Sequence, residues 1–107
     1  MSPKSRFVLR FAPEVVTHLD TIERKYHSLI RKTIDEQLIF EPESETHNRK
    51  LLEQPAPYDA TWELRFGPKN RFRVFYAISE NDREVWILAI GVKEGNHLLI
   101  AGEEFEL

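Results

Sequence analysis

The stretch WELRFGPKNRFRVFYAI, residues 62–78, sets the architecture expected for this chain. Two strands are predicted here, at residues 61–66 and 71–78, because both runs are rich in the aromatic and branched side chains that suit a pleated sheet. The Gly-Pro-Lys-Asn segment between the two runs is a turn signal. A connection this short makes the two strands antiparallel neighbours.

A third strand is predicted at residues 84–91, after the polar turn of residues 79–82. Its sequence, EVWILAIG, is apolar on both faces, which is typical of a central strand that is covered on both sides. The three strands are therefore expected to form an antiparallel meander.

The period of two along a strand assigns the side chains of the hairpin to two faces. The apolar face is expected to meet helices and consists of Trp62, Leu64, Phe66, Phe72, Val74, Tyr76 and Ile78. Arg65 and Arg73 fall on the opposite face, which they share with Glu63 and Phe75. One face of the hairpin thus builds the core, and the other carries cations.

An edge strand and a helix are predicted before this sheet. Residues 6–11, RFVLRF, are typical of a short edge strand, and Pro13 suits the first turn of a helix. Helical spacing turns five side chains inward, namely Val15, Val16, Leu19, Ile22 and Tyr26. It leaves Glu14, His18, Asp20 and Glu23 on the solvent side.

A second helix is predicted over residues 28–40, antiparallel to the first, with Ser28 as its N-cap and Pro42 ending it. Residues 41–60 contain three prolines and are expected to be a long connection. Residues 92–107 are expected to form a loop, a short extension at residues 98–101 and an acidic tail. The predicted architecture is one α+β domain, residues 1–107, with two N-terminal antiparallel helices on one face of a small, mainly antiparallel β-sheet.

Composition limits the classes of function. The 107 residues are 41% hydrophobic, which is enough for one core, and they include no cysteine. No run approaches the roughly 20 apolar residues that a membrane span needs, so a soluble, cytoplasmic protein is expected. The net charge is −3, yet residues 65–73 hold four cations and no acid. One positive patch therefore lies within an acidic protein.

That patch is the candidate site. Guanidinium groups held on a strand suit phosphate binding or the stabilisation of a charged transition state, and Lys93 can converge on the same face. The competing interpretation is a solvated outer face whose arginines serve solubility, and residue chemistry alone favours it. Phe75 shares the Arg73 face and is a candidate for stacking on a base.

His97 offers a weaker candidate, a general acid or base near Lys93, against the alternative of an exposed loop histidine. The spacing of His18, His27 and His47 does not suit zinc, so neither a metal nor a cofactor is expected. Nucleophile elbows and phosphate-binding glycine loops are missing from the sequence.

The order of the segments NRKLL, WELR, RVFY and VWILAIGVKEGN resembles that of the RelE/ParE superfamily, the toxins of bacterial type II toxin–antitoxin systems. The resemblance covers nearly the whole chain. The RelE branch consists of ribosome-dependent ribonucleases that cut messenger RNA by attack of a 2′-hydroxyl on the adjacent phosphate. The resemblance implies catalytic positions at Arg65, Arg73 and Lys93 and an RNA contact at Lys50. The turn between the two strands adds Lys69 and Arg71 as further candidate RNA contacts.

Two positions depart from the family pattern. Glu63 stands where the best-known ribonucleases have a lysine, and it can act as a base or pair with Arg65. Leu99 stands where they have a tyrosine, and His97 is close enough in sequence to replace it as the proton donor.

The partners that the resemblance implies are a cognate antitoxin, the ribosome and messenger RNA. The antitoxin is expected at the edge strand of residues 6–11 or in the groove beside the helices. Two alternatives stay open. One is a ParE-like toxin that binds DNA gyrase without nuclease activity, and the other is a degenerate member that binds only an antitoxin.

Overall fold

The computed structural model of this chain describes residues 6–105, so residues 106–107 of the predicted acidic tail and residues 1–5 of the predicted domain lie outside it. Within these described residues, seven strands form one mainly antiparallel sheet: β1 Val8–Phe11, β2 Arg49–Leu51, β3 Trp62–Phe66, β4 Phe72–Ser79, β5 Glu84–Glu94, β6 His97–Ile100 and β7 Glu103–Phe105. Two α-helices, α1 Glu14–Asp20 and α2 His27–Leu38, follow β1. The predicted α+β class with a mainly antiparallel sheet is confirmed.

The sheet has the order β2-β3-β4-β5-β6-β7, with β1 paired in parallel to β5. The predicted meander is its centre, because β4 pairs antiparallel with both β3 and β5. β5 is indeed central, with β4 on one side and β1 and then β6 on the other. β1 pairs with β5 alone among the described strands and is the expected edge strand.

The main core lies on the apolar face of the hairpin, as predicted. Leu64, Val74 and Tyr76 are fully buried there in one cluster with Ile34 and other α2 side chains. Burying each of these large side chains stabilises the fold by roughly 1.5–3 kcal/mol relative to exposure. The hairpin and α2 are thus held together by a shared apolar interior.

The first helix differs from its prediction. It ends at Asp20, and a separate 3-10 turn follows at Arg24–Tyr26. Val16, which was predicted to point inward, is exposed, whereas His18, which was predicted to face solvent, is buried. One edge of β5 is shared by two strands: β1 pairs with it as far as Ile87, and β6 pairs with it from Val92 onwards. Between Ile87 and Val92, this edge of β5 has a gap in its strand pairing. His18 Nδ1 accepts the N–H of Ile90 at 3.2 Å within this gap, so an inward histidine completes the hydrogen bonding of the central strand.

The second helix begins at His27, one residue before the predicted start, and Tyr26 rather than Ser28 occupies the N-cap position. No side-chain hydrogen bond caps that end. Within residues 6–105, no helix has the length and apolar character needed to cross a membrane.

The segment of residues 41–60 is not only a connection, because it contains β2, which pairs with β3. Buried Arg49 donates to the carbonyl oxygens of Ser44 and Gln37 and to Gln37 Oε1, each at 2.9 Å. The hydroxyl of Tyr76 donates to the carbonyl of Pro42 at 2.7 Å. Arg49 therefore fixes the segment to the last turn of α2, whose carbonyls lack helical partners.

Residues 92–105 contain more strand than the predicted loop, short extension and acidic tail, although the extension predicted at residues 98–101 coincides with most of β6. β5 continues to Glu94, and β6 and β7 extend the sheet. Leu98 and Ile100 of β6 cover Phe75 on the face opposite the helices and form a second small core. A Cβ on Gly91 would lie 2.9 Å from Ile100 Cγ1, so the close approach of β6 requires glycine there.

Candidate functional site

The centre of the candidate site is an ion network of three side chains, Glu63, Arg65 and Arg73, called here the Glu63 network. Arg65 Nε donates to Glu63 Oε1 at 2.6 Å, and Arg73 Nη1 donates to Glu63 Oε2 at 3.2 Å. The side chains of Glu63 and Arg73 are 5% and 6% exposed, whereas that of Arg65 is 35% exposed. Only Arg65 of the three reaches solvent appreciably.

The sheet register explains why these groups meet. Glu63 and Arg65 are two residues apart on β3 and share a face, and Arg73 lies directly opposite Arg65 on β4. Like charges directly opposite each other on neighbouring strands destabilise a sheet. The Glu63 carboxylate offsets that repulsion by bonding both guanidinium groups, and Arg73 is fixed further by donating from Nε to the carbonyl of Asn70 at 2.9 Å.

Three lysines on β2, on β5 and in the β3–β4 turn carry charge that no described residue engages. Lys50 lies opposite Glu63 on β2, Lys93 lies near the end of β5, and Lys69 occupies the turn between β3 and β4. None of the three side chains has an ion pair or hydrogen bond with another described residue. The accessible positive charge of this face therefore belongs to lysines more than to the arginine pair.

Lys69 and Lys93 line a cleft of about 560 Å³, together with Pro68, Arg71, Glu94 and Gly95. The Arg71 guanidinium lies 5.5 Å from the ring centre of Tyr26 and 5.3 Å from that of Phe72, both on the helix side of the sheet. It also lies 4.0 Å from Glu94 Oε1. Arg71 therefore does not join the Arg65 and Arg73 row.

His97 does not approach the Glu63 network. It lies opposite Glu94 in the β5–β6 pairing, whereas Lys93 lies opposite Leu98, so His97 and Lys93 belong to different faces of the sheet. His97 Nδ1 contacts Glu104 Oε1 on β7. Leu99 lies opposite Val92 and so shares the face of His97.

Phe75 shares the face of the Glu63 network but is only 1% exposed. Ala60, Ala89, Leu98 and Ile100 enclose it. Its ring has no free surface for a base, so the expectation that Phe75 stacks on RNA was wrong. Ala89 lies in β5, Ala60 ends the segment that was predicted to be a long connection, and Leu98 and Ile100 lie in β6, where only a short extension was predicted.

One buried titratable residue was missed by the sequence reasoning. Desolvation of His18 lowers the pKa of its imidazole, and the charge of Glu14 opposes that effect. The ring of Tyr58 packs edge-on against it at 5.2 Å. A signal was present, because Val15, His18 and Ile22 follow the i, i+3, i+7 spacing of an inward helix face.

The fold of this chain is similar to that of a protein of known structure. No protein-family model and no curated protein matches this sequence. Among solved structures, the chain is similar to one in the RelBE2 toxin–antitoxin complex of Mycobacterium tuberculosis, with 17% identity and a TM-score of 0.61 over 82% of this chain and 99% of that one. The chain has a RelE-like fold.

A likeness at 17% identity is a likeness of fold, and it agrees with the predicted α+β class and its mainly antiparallel sheet. Within this RelE-like fold, Glu63, Arg65 and Arg73 lie in one network on adjacent strands. Lys93 lies on the same face, because it follows Gly91, the partner of Arg73, by two residues. His97 lies apart from that group.

Proposed function

We propose that this chain is the cytoplasmic toxin of a type II toxin–antitoxin pair and that it cleaves messenger RNA on the ribosome. The observation that carries the proposal is the joint occurrence of a RelE-like fold and one sheet face on which a buried and a partly exposed guanidinium group lie beside lysines that have no partner among the described residues. Such a face suits a phosphodiester backbone, since charge-assisted hydrogen bonds to phosphate are strong.

The reaction needs a phosphate held beside a ribose. The 2′-oxygen attacks the adjacent phosphorus, the bond from phosphorus to the 5′-oxygen breaks, and a cyclic phosphate and a 5′-hydroxyl result. The proton of the 2′-hydroxyl passes to solvent, and another proton reaches the leaving 5′-oxygen. Arg65 and Lys93 are the cations proposed to contact the phosphate as its charge grows.

Glu63 is proposed to act through Arg65 and not on the RNA. It is almost fully buried, and each of its carboxylate oxygens already accepts a hydrogen bond from a guanidinium group. A general base must reach the proton that it removes. Glu63 is therefore a positioning residue that holds Arg65 and Arg73 side by side.

The proposed partner is an antitoxin that covers an apolar groove of about 270 Å³ beside α1. Phe11, Val16 and Leu19 line this groove with Arg31, and Val16 is 66% exposed. The free edge of β1 adjoins the groove at Phe11. An extended or helical segment of the antitoxin can occupy such a surface.

A second candidate is a ParE-like toxin that binds DNA gyrase and has no nuclease activity. The observation in its favour is the commitment of both arginines to Glu63, with His97 on the other face of the sheet. Under this alternative the Glu63 network is a structural ion network.

The test is induction of the chain in a bacterial host, followed by mapping of messenger RNA 5′ ends with and without ongoing translation. We expect translation-dependent cuts that Arg65→Ala and Lys93→Ala reduce at least about tenfold, because each variant removes a cation that stabilises the transition state. Lys32→Ala is the matched control, because Lys32 is exposed on α2 and pairs with Glu36.

Growth arrest with intact messenger RNA and damaged chromosomes would support the gyrase alternative. If the folded chain is expressed without harm to the host, both toxin activities are excluded and antitoxin binding is the remaining function.

A further inference from the structure

We propose that the cleft between the β3–β4 turn and the end of β5 is a phosphoryl-binding site, in which Lys69 and Lys93 are the ligands. The cleft contains no member of the Glu63 network, and Lys93 is the residue that it shares with the phosphate contact proposed above. The phosphoryl group belongs to an RNA strand or to a free nucleotide, and only the RNA source rests on the proposed function.

The first support is the distribution of free charge. Glu63 already engages Arg65 and Arg73, so an incoming phosphate at that pair must compete with a carboxylate 2.6 Å from Arg65. Lys69 and Lys93 face no such competitor among the described residues. A phosphate therefore displaces nothing when it enters the cleft.

The second support is the charge balance of the cleft itself. Three cations and a single carboxylate, Glu94, line it. Glu94 lies 4.0 Å from the Arg71 guanidinium, which is held over the rings of Tyr26 and Phe72. Arg71 thus offsets Glu94, and the charge of the two lysines remains for a ligand. Lysine binds phosphate as a point charge and needs no forked geometry.

The third support is that both walls are fixed to each other. The N–H of Lys93 donates to the carbonyl of Arg71 at 2.7 Å, which joins the end of β5 to the turn. Within the turn, the N–H of Asn70 donates to the carbonyl of Gly67 at 2.9 Å, and Lys69 adopts a φ of 55°. A preformed cleft loses less conformational entropy when it binds a ligand.

The size of the cleft also suits more than a bare phosphate. Its volume of about 560 Å³ lies within the range of small-ligand sites, roughly 300–1,000 Å³. Pro68 gives the cleft an apolar wall, and Gly95, which has no side chain, leaves its backbone accessible there. A nucleotide can therefore place its phosphate between the lysines and its sugar or base along that wall.

The test is titration of the ¹⁵N-labelled full-length chain with sodium pyrophosphate, adenosine 5′-monophosphate and a short single-stranded RNA, monitored through backbone amide shifts. Saturable shifts are expected at Lys69, Lys93 and Gly95. The double variant K69M/K93M is expected to weaken RNA binding about tenfold at low salt and to flatten its salt dependence, because each phosphate contact contributes about 0.7 to the logarithmic slope for single strands. K32M, which removes an exposed lysine of α2, is expected to bind like the wild type.

The three ligands separate the sources of the phosphoryl group. Binding of RNA that is much tighter than that of the mononucleotide identifies a strand, and equal affinities identify a free nucleotide. Shifts confined to the Glu63 network, or unchanged binding by K69M/K93M, would overturn the proposal. If cuts in messenger RNA are absent while K69M/K93M still abolishes phosphate binding, the ribonuclease proposal fails and the phosphoryl site stands.

Discussion

Arg65 Nε donates to Glu63 Oε1 at 2.6 Å, along the same face of a single strand. The second carboxylate oxygen of Glu63 accepts a hydrogen bond from Arg73, which lies directly opposite Arg65 on the next strand. One carboxylate therefore joins two guanidinium groups that would otherwise repel each other. Glu63 should therefore stabilise the folded protein and, by neutralising the two arginines, weaken its binding of RNA.

Removal of the Glu63 side chain should destabilise the fold. Glu63→Ala leaves Arg73 buried without its carboxylate partner, and breaking a buried pair in this way costs about 3–5 kcal/mol. Urea unfolding followed by circular dichroism measures the free energy of unfolding. Glu36→Ala is the control, because Glu36 pairs with Lys32 in an exposed position, and it should change little. A loss below about 1 kcal/mol for Glu63→Ala would show that solvent reaches the network.

Neutralisation of Glu63 without loss of its shape should strengthen RNA binding. Glu63→Gln keeps a hydrogen-bond acceptor for Arg65 but frees positive charge on both arginines, so affinity for single-stranded RNA should rise a few-fold, with a steeper salt dependence. Translation-dependent cleavage should persist. Complete loss of cleavage in a folded Glu63→Gln protein would instead identify Glu63 as the proton acceptor.

Removal of the Arg49 side chain should also lower the free energy of unfolding. Its guanidinium joins β2 to Gln37 and Ser44 through three hydrogen bonds, and Arg49→Ala leaves buried carbonyls without donors. A loss of about 2–4 kcal/mol in the free energy of unfolding is expected from the unsatisfied groups. Arg24→Ala, at an exposed position of the 3-10 turn, is the comparison. Equal stability of the two variants would mean that water replaces Arg49.

The buried His18 should make stability depend on pH. Desolvation lowers the pKa of His18 in the folded protein below its usual value of 6.5, so below pH 6.5 the unfolded chain binds a proton that the folded chain does not. Stability from this residue is complete above pH 6.5 and declines as the pH falls towards the folded pKa.

His18→Gln, which offers Ile90 an uncharged acceptor, should reduce the loss of stability between pH 7.5 and pH 5.5. Urea unfolding at both pH values measures the effect. His47→Gln, in an exposed part of the 41–60 segment, should lose as much as the wild type. Identical losses in all three proteins would contradict the role of His18.

The groove beside α1 should be required for neutralisation by the antitoxin. Val16→Glu places a charge on an apolar surface that lies open to solvent, so it should weaken the toxin–antitoxin complex at least about tenfold without loss of stability, by desolvation of the new charge. Rescue of growth on co-expression and the affinity of the purified pair are the measurements. Thr17→Glu, exposed on the same helix but outside the groove, should be neutralised normally.

Most of the architecture was predictable because its signals are local. The turn at Gly67 sets the β3–β4 pairing, and the period of two then places Arg65 and Arg73 on one face and Leu64 and Val74 on the other. Short strands without such a pattern escaped prediction. Arg49–Leu51 is only three residues long and lies in a proline-bearing segment, so its pairing with β3 has no local signature.

Residue spacing was enough to establish the hairpin, its apolar face and the shared face of Glu63, Arg65 and Arg73, since strand geometry makes these consequences of the period of two. Packing between distant segments then set which of those groups are available to a ligand. β6 covers Phe75, Glu63 engages both arginines, and the end of β5 brings Lys93 to the cleft that contains Lys69. These outcomes depend on burial, and burial sets the cost of every unpaired charge.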